Sequence, residues 1–170
     1  MTTLRTPRAI LRRAHEDDVD AMHAVLSDPR AMRYWSTTPH ETREQTRAWV
    51  SSMMASSPDE SEDFVVELDG RVVGKVGFYR LPEIGFILHP DVWGRGLAKE
   101  VLASAIEHVF ATRSYEVLIA DVDPRNAASL AVLSSLGFRE VRRAARTYCV
   151  GGEWSDSVYL ELRRAPTRTP

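Results

Sequence analysis

The run Trp93-Gly94-Arg95-Gly96-Leu97-Ala98-Lys99-Glu100 decides the fold of this chain. It follows the mostly apolar segment Glu83 to Leu88, which predicts a strand buried on both faces. It also opens a segment in which apolar residues recur at helical spacing from Leu97 to Phe110. A helix N-terminus carries unpaired N–H groups and the positive end of the helix dipole, and both suit phosphate oxygens. Gly94 and Gly96 lack Cβ atoms, so an anion can approach the backbone closely.

This pair of glycines has two interpretations when it is taken alone. It predicts either a turn that binds a pyrophosphate, with Arg95 as an additional cation, or a tight turn that only caps the helix. The third glycine of a dinucleotide fingerprint is replaced by Lys99, and the Gly-Lys-Ser/Thr ending of a P-loop is missing. These differences disfavour a nucleotide enzyme of either kind.

The segments on either side predict an α+β fold with the order β, α, α, β, β, β, α, β, α, β, β. Because the strands at 83–88 and 116–122 are joined through a helix, we expect them to be parallel, and the strands just before them to be antiparallel. We predict a mixed, mostly antiparallel central sheet of about seven strands, flanked by about four helices. An exposed loop is expected at 56–62. The predicted strands lie at about 9–13, 64–68, 71–79, 83–88, 116–122, 139–150 and 155–162, and the other helices at about 15–27, 41–54 and 126–136.

Length and composition suit one globular domain over 1–170, with its core at about 9–163 and a disordered tail at about 165–170. The formal net charge of -2 argues against a nucleic-acid partner. No apolar run approaches the roughly 20 residues of a membrane span. With one cysteine, Cys149, and no apolar N-terminal segment, we expect a cytoplasmic protein. The five histidines are scattered, so we expect no metal site.

Three motifs together resemble one known family. The run from Glu83 to Glu100 is similar to the core of the GNAT superfamily of N-acetyltransferases, and in particular to its RimJ/RimL branch, which acetylates ribosomal-protein N-termini and other amines. Asn126-x-x-Ser129, followed by Leu136-Gly137-Phe138, resembles the next part of that family. Gly152-x-Trp154-x-Asp156-x-x-x-Tyr159 resembles its closing hairpin. The resemblance covers about 9–163, and the shared order and spacing of the motifs carry it.

The resemblance implies the GNAT acyl-CoA N-acyltransferase fold, with a splay between the fourth and fifth predicted strands. It implies acetyl-CoA as the cosubstrate, no metal, and direct transfer of the acetyl group to a primary amine. The acceptor would be a protein N-terminus or a small molecule, and the enzyme a monomer or a homodimer. The alternative is a non-catalytic acetyl-CoA-binding sensor or scaffold on the same fold.

The resemblance also assigns residues to acetyl-CoA. Backbone N–H groups near Phe86, Ile87 and Leu88 would face the thioester carbonyl and could stabilise an oxyanion. Asn126 would cap its helix and contact the pantetheine. The pyrophosphate would lie on Trp93, Gly94, Arg95, Gly96, Leu97 and Ala98, with Trp93 standing where the family usually has Gln or Arg.

Two residues are candidates for proton transfer. Glu83 is either the base that deprotonates the ammonium group, directly or through water, or a solvated carboxylate at the start of a strand. Many GNAT enzymes have a tyrosine acid where this chain has Leu133. Ser129, placed near the sulfur in the RimJ/RimL branch, is the substitute candidate, or else an ordinary serine that bonds to its own helix.

The acceptor amine is expected in an aromatic and acidic pocket. The resemblance places Trp35, Tyr148 and Trp154 there, together with Glu83. For Trp154 the alternative is a packing role in the closing hairpin.

Overall fold

The computed structural model describes residues 2–166, which form one open eight-stranded sheet with helices on both faces. The strand order is β1-β2-β3-β4-β5-β6-β8-β7. Residues 167–170 of the predicted tail lie outside the described residues. The strands are β1 Leu4–Arg5, β2 Ala9–Arg12, β3 Glu62–Leu68, β4 Arg71–Arg80, β5 Glu83–Leu88, β6 Val117–Val122, β7 Arg139–Val150 and β8 Glu153–Arg163. The helices are α1 Val19–Leu26, α2 Arg43–Ala55, α3 Leu97–Thr112 and α4 Ala127–Ser135.

The predicted fold class is confirmed. Every pair of neighbouring strands is antiparallel except β5 and β6, which are parallel because α3 carries the chain across between them. The predicted splay is also present. β5 and β6 are paired only at Glu83 and Ile119, and Ile119 N donates to Pro82 O at 3.1 Å. Beyond this point the two strands separate, so a gap opens toward the C-terminal end of β5.

The sheet separates two apolar clusters, because successive side chains of a strand point to opposite faces. Phe64, Val66 and Val76 pack with α3 on one face. Val65 and Ile87 pack with α1 and α2 on the other. The α1–α2 side therefore covers the same face of β5 that carries Ile87, and this arrangement leaves room for a cavity where β5 begins.

The structure adds two details to the predicted strands. The sheet has eight strands where about seven were predicted, since Leu4–Arg5 adds an edge strand paired with β2. A strand of two residues is too short to show a period in the sequence. The loop predicted at 56–62 also ends early, because Ser61 and Glu62 are buried and β3 starts at Glu62. The Glu62 carboxylate lies 2.7 Å from the Arg113 guanidinium, which compensates its charge.

Burial of β5 and β6 is less complete than predicted. Ile119 and Asp121 of β6 are exposed, as is Glu83 of β5. The physical reason is the splay itself, because the separated strands leave these side chains facing open space instead of a packed neighbour. The predicted helix at 15–27 is likewise shorter, since Glu16–Asp18 form a 3₁₀ turn before α1.

Candidate active site

The turn before α3 presents free backbone N–H groups. Gly94 and Gly96 have φ angles of 72° and 73°, in the left-handed region that glycine tolerates best. The first backbone hydrogen bond of the helix runs from Glu100 N to Gly96 O at 3.2 Å. Within residues 2–166, the N–H groups of residues 94 to 99 have no hydrogen-bond acceptor. Successive N–H groups in such a turn form an anion-binding concavity.

This turn is also sterically open. A Cβ atom at Gly94 would meet no atom within 4 Å, and one at Gly96 would meet only Arg8 Nη2, at 3.8 Å. Trp93 ties the turn to β5, because its Nε1 donates to Leu88 O at 2.9 Å. Leu97 is buried in the core, so only its backbone faces the turn, and Ala98 packs against the same core. The residues present therefore fit a pyrophosphate group.

Thr6 and Arg8, in the connection between β1 and β2, hold the start of α3 and the turn before it, a contact that the sequence analysis missed. Arg8 Nη1 donates to Arg95 O at 2.7 Å, and Arg8 Nε donates to Glu100 Oε2 at 2.7 Å. Glu100 Oε1 accepts from Thr6 Oγ1 at 2.6 Å and from Arg8 N at 2.9 Å. Burial acts to raise the pKa of Glu100, but the hydrogen bonds from Thr6 and Arg8 outweigh it, so the pKa is lowered. Glu100 is therefore held as a carboxylate.

The gap between β5 and β6 offers two further N–H groups. His89 N donates to Val73 O on the β4 side at 2.8 Å. Because N–H groups alternate in direction along a strand, those of Phe86 and Leu88 point the other way, into the gap. The N–H of Ile87 points to β4, and its side chain is buried under α1 and α2. Among the three residues predicted at the thioester, the structure thus places two N–H groups in the gap.

The first turn of α4 begins beside the end of β6. Asn126 caps the helix as predicted, since its Oδ1 accepts from Ser129 N at 3.1 Å. Arg125 fixes this corner, with Nη2 at 2.7 Å from Oδ2 of the buried Asp123 and at 3.0 Å from Ser155 Oγ. Ser129 is partly buried on the first helical turn. The cap and the ion pair together fix the start of the helix on which Ser129 lies.

A cavity of about 600 Å³ lies where β5 begins, between the sheet, the α1–α2 connection and β7. Three of the four residues predicted for the acceptor line it, namely Trp35, Glu83 and Tyr148. Trp154 does not. It is 50% exposed, and the Arg146 guanidinium lies 5.1 Å from the centroid of its ring. The structure therefore brings the first three together and leaves Trp154 apart.

The charge of Asp121 acts on Glu83 in this cavity. Glu83 is exposed at the opening, yet the atoms around its carboxyl group remove water and so raise its pKa. The negative charge of Asp121 raises it further, while Arg80 acts in the opposite direction. The pKa of Tyr148 is raised as well, first by burial and then by Asp123, so its hydroxyl stays protonated. The cavity therefore combines a carboxyl group of raised pKa with a neutral phenol.

A buried ion pair lies at the floor of the cavity. Lys75 Nζ is 2.8 Å from Asp63 Oδ1, and the two residues are only 3% and 2% exposed. The same Nζ lies 5.8 Å from the centroid of the Trp35 ring. The sequence analysis missed Asp63, Lys75 and Asp121. A lysine inside the apolar strand Val72 to Phe78 was the available signal, because lysine is rarely buried without a partner.

Residues 8–139 match the family described as "Acetyltransferase (GNAT) domain". The chain belongs to the GNAT acetyltransferase family. The resemblance found in the sequence is thereby confirmed, and the protein is an acyltransferase of this family.

Known N-acetyltransferases are similar over most of the chain. An uncharacterized N-acetyltransferase p20 of Bacillus licheniformis is 29% identical over 82% of this chain and 84% of its own length. The spermidine N(1)-acetyltransferase of Escherichia coli K12 is 25% identical over 94% of this chain and 92% of its own. The solved structure of RimL, a ribosomal L7/L12 alpha-N-protein acetyltransferase in complex with coenzyme A, superposes with a TM-score of 0.84 at 19% identity. That superposition covers 95% of this chain and 98% of RimL, and it shows the shared fold.

Two further features, a membrane-spanning helix and a cluster of metal-binding side chains, are not found among the described residues of this GNAT chain. Over residues 2–166, none of the helices is both long and apolar enough to cross a membrane. Among the same residues, His, Cys, Asp and Glu side chains form no group of three that could hold a metal ion.

Proposed function

We propose that this protein transfers the acetyl group of acetyl-CoA directly to a primary amine. One observation carries the proposal: the unpaired N–H groups of the Gly94–Gly96 turn lie at the end of β5 where its gap to β6 opens. A pyrophosphate bound at the turn and a pantetheine arm bound in the gap would then be adjacent, as two parts of one acetyl-CoA molecule. A family relative named for spermidine and a structural neighbour solved with coenzyme A support this reading.

Acetyl-CoA would supply an acetyl group activated as a thioester. In this proposal, Phe86 and Leu88 donate backbone hydrogen bonds in the gap, and Asn126 and Ser129 bound it at the start of α4. Ile87 contributes packing from the opposite face of the strand. The pyrophosphate is bound by the turn residues Trp93, Gly94, Arg95, Gly96, Leu97 and Ala98.

Glu83 and Ser129 are the proposed proton-transfer residues. Glu83 accepts a proton from the acceptor ammonium group, directly or through water, and its raised pKa makes it a stronger base than an ordinary glutamate. The amine nitrogen then bonds to the acetyl carbon while the carbon–sulfur bond breaks. The second proton of the nitrogen ends on sulfur, which the Ser129 hydroxyl can stabilise by a hydrogen bond.

The acceptor amine is proposed to bind in the cavity lined by Trp35, Glu83 and Tyr148. A protein N-terminus and a small molecule are both proposed as acceptors, because either can present a primary amine at this position. Trp154 would contact only an acceptor that extends out of the cavity. The working hypothesis is a single-domain cytoplasmic enzyme that acts as a monomer or a homodimer and needs no metal.

Release of free CoA from acetyl-CoA tests the proposal, measured with a thiol reagent across a broad panel of primary amines. Amine-dependent release, with an acetylated product in the mass spectrum, is the expected result. Binding of acetyl-CoA in calorimetry without turnover on any amine would instead support the alternative of a sensor or scaffold. Failure to bind acetyl-CoA would contradict both.

A further inference from the structure

Among the described residues that line the acceptor cavity, the carboxylates of Glu83 and Asp121 have no salt-bridge partner. Glu83 lies where β5 and β6 part, and Asp121 is two residues beyond its partner Ile119 on β6. Both side chains line the cavity. The third carboxylate there, Asp63, lies 2.8 Å from Lys75 Nζ and is thus compensated inside the protein. One cation held between Glu83 and Asp121 would offset their mutual repulsion.

Five aromatic side chains, together with the hydroxyl groups of Ser36, Thr37 and Ser52, line the rest of the cavity. Trp35 comes from the α1–α2 connection, Trp49 from α2 and Tyr148 from β7, with Tyr34 and Tyr79 beside them. Gly85 leaves one part of the wall open, because it has no side chain and a Cβ there would meet no atom within 4 Å. Aromatic side chains around one acidic position suit a molecule with a single charge and an apolar body.

The volume of the cavity also favours a small-molecule acceptor. A volume of about 600 Å³ lies within the range of roughly 300–1,000 Å³ that is typical of small-molecule sites. Arg80 also lines it, and its guanidinium would repel a second ammonium group. A polyamine would therefore place its additional charges beside this cation or the aromatic rings, where the cavity offers no free carboxylate.

We propose that the acceptor is a compact primary monoamine with an aromatic or aliphatic body. Its ammonium group binds at Glu83 and Asp121, and its body lies over Gly85 among Trp35, Trp49 and Tyr148. This inference rests on the proposed acetyl transfer and specifies the acceptor for it. The acetyl-transfer step itself is unchanged. The amine nitrogen bonds to the acetyl carbon while the carbon–sulfur bond breaks, and one proton of the ammonium group passes to Glu83 and one to sulfur.

The test compares kcat/KM for three acceptor classes at saturating acetyl-CoA. Phenethylamine and hexylamine represent apolar monoamines, spermidine represents polyamines, and tripeptides that begin with serine or alanine represent protein N-termini. We expect the monoamines to exceed both other classes by tenfold or more, because only their bodies are buried in the cavity. A preference for spermidine or for a tripeptide would overturn the inference while leaving acetyl transfer intact.

Two variants separate the cavity from a general loss of folding. Gly85→Val fills the open space beside Gly85, so it should raise KM for phenethylamine at least fivefold more than KM for methylamine, with KM for acetyl-CoA unchanged. Trp49→Ala should lower kcat/KM for phenethylamine, whereas Met54→Ala, on the exposed side of the same helix, should not.

Equal effects of Gly85→Val on both amines would contradict the proposed position of the body. If acetyl-CoA binds and no monoamine is acetylated, the acceptor class is wrong, and if acetyl-CoA does not bind, the proposed function itself fails.

Discussion

The guanidinium of Arg8 is bonded to the carboxylate of Glu100 across 92 positions of sequence, with Arg8 Nε at 2.7 Å from Glu100 Oε2. The same guanidinium donates from Nη1 to Arg95 O at 2.7 Å. The start of β2 is thus joined both to the first turns of α3 and to the turn that precedes the helix. The shape of the proposed pyrophosphate turn therefore depends on Arg8, a residue near the N-terminus that is far from the turn in sequence.

Replacing Arg8 by alanine should weaken acetyl-CoA binding without affecting the chemical step. One charge-assisted hydrogen bond contributes about 1.5–3 kcal/mol, so KM for acetyl-CoA should rise about tenfold at nearly constant kcat. Arg8→Lys should not restore the wild-type KM, because an ammonium group cannot reach Glu100 and Arg95 O together. Steady-state kinetics with Arg5→Ala as the control, a neighbouring exposed arginine, checks this. A fall in kcat with unchanged KM would contradict it.

Gly96→Glu should abolish acetyl-CoA binding, since it places a carboxylate in the proposed anion site. The matched control is Gly70→Glu in the β3–β4 turn, because the two glycines have φ angles of 73° and 76° and so impose similar backbone strain. Calorimetry should show at least a hundredfold weaker binding for Gly96→Glu and normal binding for Gly70→Glu. Equal acetyl-CoA binding by the two variants would show that the turn is not part of the binding site.

The acidic limb of the pH–rate profile should reflect Glu83. As a base, Glu83 must be ionised, so activity falls as the pH drops through its pKa, which burial and Asp121 raise above the usual value. Asp121→Asn removes a negative charge and should move this limb to lower pH. Glu83→Gln should reduce kcat by about 10²–10⁴-fold and eliminate the limb. The profiles are compared with one acceptor throughout, and an unmoved limb in Asp121→Asn would argue against Glu83 as the base.

Ser129→Ala should lower kcat with little change in KM for acetyl-CoA, if its hydroxyl stabilises the departing sulfur. The helix cap survives this change, because Asn126 accepts from the backbone N–H of Ser129 and not from its side chain. Ser135→Ala is the control, since its hydroxyl bonds only to Val132 O within the same helix. A kcat equal to that of the control would leave Ser129 as an ordinary helix residue.

Lys75→Met should destabilise the fold by about 3–5 kcal/mol, because it leaves the carboxylate of Asp63 buried without its partner. The double variant Lys75→Met with Asp63→Leu should recover much of this loss. Denaturant unfolding monitored by circular dichroism measures both. A double variant no more stable than the single one would contradict this account, because the unpaired carboxylate would then not be the cause of the loss.

Much of the fold could be predicted from local pattern. β5, α3 and the cap of α4 at Asn126 were predicted because each depends on residues close together in sequence. The parallel pairing of β5 and β6 also followed, since neighbouring parallel strands need a crossover connection and the helical segment between these two supplies one. β1 was missed because it exists only by pairing with β2.

The sequence by itself determined the family, the glycine turn before α3 and the two candidate residues for proton transfer, Glu83 and Ser129. The tertiary structure alone decided which side chains meet: Asp121 beside Glu83, Lys75 on Asp63, and Arg8 on Glu100. It also removed Trp154 from the cavity and added Trp49 to it. The reason is physical, because periodicity and turn chemistry act over a few residues, whereas contacts between strands and helices depend on packing between segments far apart in the chain.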